Sequence, residues 1–97
     1  MSKENVILYA LGIGFSKNAM NKEHLRYTYE NADQFGAFPT TSLIVCHRGP
    51  MAEGNMDLPG IPAFNPMMLL HGEETLTIET PVKPDVNYEV VERLVDV

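Results

Sequence analysis

Two alternating apolar segments, joined by a short proline-rich turn, constrain this chain's fold more than any other feature. Between Leu69 and Thr80, Leu76 and Ile78 fall on one side and Thr75, Thr77 and Glu79 on the other. That is the period of two expected of a half-buried β-strand. Pro81-Val82-Lys83-Pro84-Asp85 supplies turn residues. Val86 to Val95 then reads as a second strand, and its alternation slips at Val90-Val91 as a β-bulge would make it. The pair reads as an antiparallel hairpin, which is not stable alone in water and needs further elements to cover it.

A third strand is expected earlier. Leu25-Arg26-Tyr27-Thr28-Tyr29-Glu30 alternates and is rich in aromatics, with Leu25, Tyr27 and Tyr29 on one face. Before it, Asn5 could cap a short helix over Val6 to Leu11, stopped by Gly12 and Gly14. Asn31 to Gly36 is turn-like. Pro39 suits the first position of a helix running through Thr40 to His47 and ended by Gly49-Pro50. The β-branched residues Thr40, Thr41, Ile44 and Val45 favour a strand there, and the run is too short for periodicity to decide. Residues 50–66, with four prolines and two glycines, read as a long loop. The fold class is therefore α+β, an antiparallel sheet packed on a helix. Val86 to Val97 would leave an unpaired sheet edge. Completion by another chain, or by more of a longer domain, is expected.

The chain of 97 residues suffices for one small domain. Its 13 acidic residues outnumber seven basic ones, giving a net charge of −6 without a Lys/Arg cluster. That balance argues against a nucleic-acid or anionic-membrane surface. The apolar runs are too short to span a bilayer. The first residues do not resemble a signal peptide, and Leu94-Val95-Asp96-Val97 matches no targeting tripeptide. A single cysteine, Cys46, cannot form an internal disulfide and fits a reducing compartment.

The candidate site is His71-Gly72, where a Pro/Met/Leu run enters the first strand of the hairpin. A histidine there can hydrogen-bond a ligand or move a proton, and it can equally be a structural residue bonded to nearby backbone. Gly72 allows close approach of a ligand, or simply kinks the strand entry. Glu73 and Glu74 are adjacent, point to opposite strand faces and read as a solvated pair, not an acid/base device. His24, His47 and His71 lack metal-like spacing, so no metal site is expected. Cys46 has no evident activating neighbours and reads as a small apolar core residue. Gly12-Ile13-Gly14 is too short for a dinucleotide loop. Met51, Met56, Met67 and Met68 could line an apolar tunnel or fill gaps in a core.

Several separate motifs agree in order with one family. Tyr9 to Gly14, Leu25 to Asn31, Asp33-Gln34-Phe35 and Phe38-Pro39-Thr40 come first. Leu58-Pro59-Gly60, Phe64-Asn65-Pro66, Leu69 to Glu73 and Pro81 to Pro84 follow. Together the chain resembles the MaoC-like, (R)-specific 2-enoyl-CoA hydratases, including the hydratase part of the peroxisomal multifunctional enzyme type 2. The resemblance implies a hot-dog fold, a sheet wrapped on a central helix. Residues 1–97 would be one incomplete N-terminal hot-dog domain. It further implies that His71 and Gly72 contact an acyl-CoA thioester, as substrate and without a cofactor. The family's catalytic Asp-x-Asn-Pro-x-His motif is absent from this sequence, so no catalytic residue is assigned. Alone, the chain is expected to be inactive or nearly so, and to work with a catalytic half or as a homodimer. A non-catalytic role in acyl-CoA binding or assembly is the alternative. Location in the peroxisome follows from the resemblance; otherwise the cytoplasm is expected.

Overall fold

In a computed structural model, residues 1–47 and 59–96 are described. Three short α-helices appear among them: α1 (Lys3–Gly12), α2 (Leu25–Thr28) and α3 (Ser42–Cys46). Single 3₁₀ turns precede α2 (Lys22–His24) and α3 (Pro39–Thr41), and a third lies at Pro66–Met68.

Helix α1 starts earlier than the sequence indicates. Ser2, not Asn5, is its N-cap, and the Ser2 hydroxyl accepts the Asn5 N–H at 3.2 Å. Its C-terminal end is a Schellman motif. Gly14 N–H donates to the Leu11 carbonyl at 3.1 Å, and Phe15 N–H donates to the Ala10 carbonyl at 3.0 Å. Gly14 closes it at φ +105°, a conformation that suits glycine. Val6 and Ala10, one helical turn apart, are fully buried. They form the stripe that α1 buries, and its contacts are with α2 and the 3₁₀ turn before α3. Tyr9 on the same helix shares a 2.8 Å hydroxyl hydrogen bond with Thr40.

The Schellman turn delivers Phe15 to an aromatic cluster. Its ring lies 4.8 Å from His24, 4.9 Å from Tyr27 and 5.0 Å from Phe38, centroid to centroid. Tyr27 and Phe38 close the set at 5.3 Å, edge to face. Ser16, held at φ +58°, donates its N–H to His24 Nδ1 at 3.0 Å. The Ser16 and Thr28 hydroxyls meet at 2.7 Å, and Thr28 donates back to the His24 carbonyl at 3.1 Å.

These ties overturn the strand expected at Leu25–Glu30. Its first four residues form α2, and Tyr29 N–H closes the turn on the Leu25 carbonyl at 2.9 Å. Only Tyr27 of the alternating trio enters the ring cluster, while Leu25 and Tyr29 stay exposed. The ambiguity at residues 40–47 resolves to helix, with Pro39 opening it after Phe38 as expected. Cys46, expected in a core, is exposed, because α3 ends there. The expected stop at Gly49-Pro50, Met51, Met56 and most of the long loop lie outside the described residues.

The expected sheet is not formed among the described residues. Residues 69–80 and 86–96 carry no strand. A ladder needs a strand partner along a backbone edge, and no strand is formed among the described residues. The alternation still shows in exposure: Val90 is 39% exposed and Val91 77%. The turn between the segments is closed by one phenol. Tyr88 accepts the Lys83 N–H at 2.7 Å and donates to the Lys83 carbonyl at 3.3 Å. The N-terminus anchors this turn. Met1 ammonium donates to the Val86 carbonyl at 2.9 Å, Asp85 N–H donates to the Met1 carbonyl at 2.7 Å, and Lys3 pairs with Asp85 at 3.3 Å. The radius of gyration is 16.7 Å, against about 12–13 Å for a compact domain of this length.

Candidate functional site

The approach to His71 is set by Asn65-Pro66. Asn65 caps the 3₁₀ turn, its side chain accepting the Met67 N–H at 3.0 Å, and Pro66 holds the first position. Leu69 N–H closes the turn on the Pro66 carbonyl, and the chain leaves in extended geometry at φ −75°, ψ 125°. The next residues carry large apolar side chains into solvent. Met67 is 89% exposed and Leu70 88%. Contiguous apolar exposure of this kind marks a surface meant to be covered by a ligand or a protein.

His71 follows directly and is itself exposed. A Cβ built on Gly72 would meet no atom within 4 Å, so the glycine leaves open space beside the imidazole. The sequence-predicted pair therefore stands at an accessible surface.

The carboxylate of Glu74 joins this surface to α3. Glu74 Oε1 lies 3.4 Å from His47 Nε2, at the C-cap of α3, and Oε2 lies 3.5 Å from His71 Nε2. The two imidazole rings stand edge to face with centroids 6.3 Å apart. Glu74 was expected to be merely solvated; the structure makes it the link between two histidines remote in sequence. No spacing rule could have found this, because His47 and His71 approach only through the tertiary fold. His24 is engaged elsewhere, in the aromatic cluster.

A separate open groove of about 790 Å³ lies over that cluster, lined by Phe15, His24, Arg26, Tyr27, Tyr29 and Phe38 among others. Arg26 stacks on Tyr27 with its guanidinium carbon 4.9 Å from the ring centre. His71 is not part of this groove.

The model of the MFE-2 hydratase 2 N-terminal domain matches residues 1–97. The chain belongs to this family. It is 38% identical over 85 residues to the probable enoyl-CoA hydratase 2 of Dictyostelium discoideum, covering 86% of this chain and 27% of that protein. It is 37% identical over 76 residues to the peroxisomal multifunctional enzyme type 2 of Mus musculus, covering 78% of this chain and 10% of the mouse protein. With the peroxisomal hydratase-dehydrogenase-epimerase of Saccharomyces cerevisiae it shares 35% identity over 81 residues, 84% of this chain and 8% of the yeast protein. The MFE-2 hydratase 2 N-terminal segment seen here thus spans about a quarter or less of these relatives' lengths. No solved structure matches the chain at a significant level.

Proposed function

We propose that this chain is the substrate-binding N-terminal half of an (R)-specific 2-enoyl-CoA hydratase acting in peroxisomal β-oxidation. The observation that carries the reading is the family match over the whole chain. The exposed His71-Gly72 pair beside the uncovered Met67–Leu70 run supports it locally. In this reading the hot-dog sheet forms when the residue 69–80 and 86–96 segments meet the catalytic half. His71 donates a hydrogen bond to the thioester, Gly72 lets the ligand come close to the protein backbone, and the apolar run covers the acyl chain.

Syn hydration of a 2-enoyl thioester needs a base to activate water, a proton donor for Cα, and donors to the thioester oxygen. His71 can fill one of these roles, and the sequence holds no Asp-x-Asn-Pro-x-His motif to fill the others. The chain by itself is therefore a positioning surface and not a catalyst. Mixed alone with crotonyl-CoA, it should leave the enoyl absorbance unchanged; sustained loss of that absorbance would overturn the assignment of catalysis elsewhere. Binding of the saturated analogue butyryl-CoA should weaken about five- to thirtyfold on His71→Ala, the worth of one hydrogen bond to the ligand. An unchanged affinity would remove His71 from the site.

A second reading is favoured by one observation, the alternating apolar face of Leu76, Ile78, Val86, Tyr88 and Val90, all exposed. In it, the chain is a non-catalytic hot-dog protein that completes its sheet with a second copy. A folded monomer in sedimentation at micromolar concentration would exclude this.

A further inference from the structure

We propose that His47, His71 and Glu74 form a binding site for a divalent transition-metal ion of the Zn²⁺ class. The argument is geometric and does not rest on the acyl-thioester reading. One ligand atom from each of the three residues lies within 4.8 Å of the others. The two imidazole-to-carboxylate separations are 3.4 and 3.5 Å. These are long for charge-assisted hydrogen bonds, which cluster at about 2.7–2.9 Å. They match instead the edge of a tetrahedron around zinc: bonds of about 2.0–2.1 Å place neighbouring ligand atoms about 3.3–3.4 Å apart. The two separations end on different oxygens of one carboxylate, so with one Glu74 oxygen on the ion one edge of the polyhedron is already at length.

The other edges, from the second imidazole, start within 4.8 Å and close by side-chain rotation. His47 and His71 side chains are 55% and 64% exposed, which leaves both rings room to turn. Two imidazoles and a carboxylate form a donor set that suits zinc and leaves a fourth position for solvent. The net charge of −6 attracts a cation to the surface. Binding would also clip the end of α3 to the His71 segment, closing a long loop whose entropy the unfolded chain retains.

The test is calorimetric titration of the chain with ZnCl₂ in a non-chelating buffer near neutral pH. One ion should bind per chain. Replacing a direct ligand should cost more than the loss of a supporting residue, so His47→Ala and Glu74→Gln should each weaken binding by at least about a hundredfold. His24→Ala and Cys46→Ser should leave it within about twofold, since neither residue belongs to the cluster. His47→Gln replaces His47→Ala if the latter loses helical circular dichroism. In the unaltered chain, imidazole ¹⁵N resonances of His47 and His71 should shift together on Zn²⁺ addition while those of His24 stay in place. Absence of one-to-one binding, binding that survives His47→Ala, or loss on Cys46→Ser would each overturn the site. Any of these outcomes leaves butyryl-CoA binding free to succeed or fail on its own.

Discussion

From Met1 to His47, helix ends and turns are closed by specific groups: Ser2 at the start of α1, the Gly14-Phe15 Schellman pair at its end, Ser16 on His24, Thr28 on His24, Tyr9 on Thr40. From Pro59 to Asp96 the extended segments carry their apolar side chains into solvent, and they meet the first region mainly at Met1, Lys3 and His47. The first region satisfies its backbone locally and packs rings on rings. In the second, the sequence has written an alternation for a sheet whose hydrogen-bond partners do not lie within the described residues. Helices close their own bonds; strands borrow them. The same chain can therefore hold a region with its bonds closed and a region whose alternation forms no ladder among the described residues.

The sharpest way to break this comparison is to remove the ring that the first region is built around. Phe15 meets His24, Tyr27 and Phe38. Phe15→Ala should cost about 2–4 kcal/mol, from lost apolar burial and lost ring pairs. Urea unfolding followed by helical circular dichroism reads it directly. A loss below about 1 kcal/mol would mean that capping, not ring packing, holds residues 1–47.

Two glycines at one helix end make a finer test. Gly14 sits at φ +105°, and a Cβ there would approach the flexible Lys17 side chain at 3.3 Å. The cost of Gly14→Ala is therefore mainly backbone strain, about 1–2 kcal/mol. Gly12, the last residue of α1, has no atom within 4 Å of an added Cβ and no positive φ. Gly12→Ala should instead be neutral or stabilise by up to about 1 kcal/mol. The opposite signs, read from the same unfolding curves, would confirm the Schellman end; equal costs would dissolve it.

Legibility in the sequence divides along the same line. Gly14 and Pro39 mark helix ends because each acts through its own backbone, whereas Gly12 does not stop α1 but is its last residue. Ser2 and Asn5 are both good caps, so residue type alone does not choose between them, and the Ser2 bond to the Asn5 N–H fixes the start. The Leu25–Glu30 alternation misled because six residues fit either period, and the ring contacts of Tyr27 with the Thr28 hydroxyl bond settled it for helix. His71 and Gly72 were picked out by their place before an alternating segment, and the structure leaves both accessible. The Glu74 link to His47 was invisible, because contact across distant segments has no local signature.

The smallest expected effect probes the second region. Ile78 is 37% exposed on the alternating face, with no ladder around it. In the chain alone, Ile78→Lys should change stability by no more than about 0.5 kcal/mol, as surface substitutions do. Where a partner completes the sheet, the same lysine would be driven into a covered face, and burying an unpaired ammonium costs several kcal/mol. The variant should therefore fold like the unaltered chain and fail to associate, whether the partner is a catalytic half or a second copy. Unfolding by urea and sedimentation of the same sample separate the two terms. A destabilisation above about 1 kcal/mol in a monomeric sample would mean that residues 69–80 already pack as a sheet without a partner, and the contrast between the two regions would collapse.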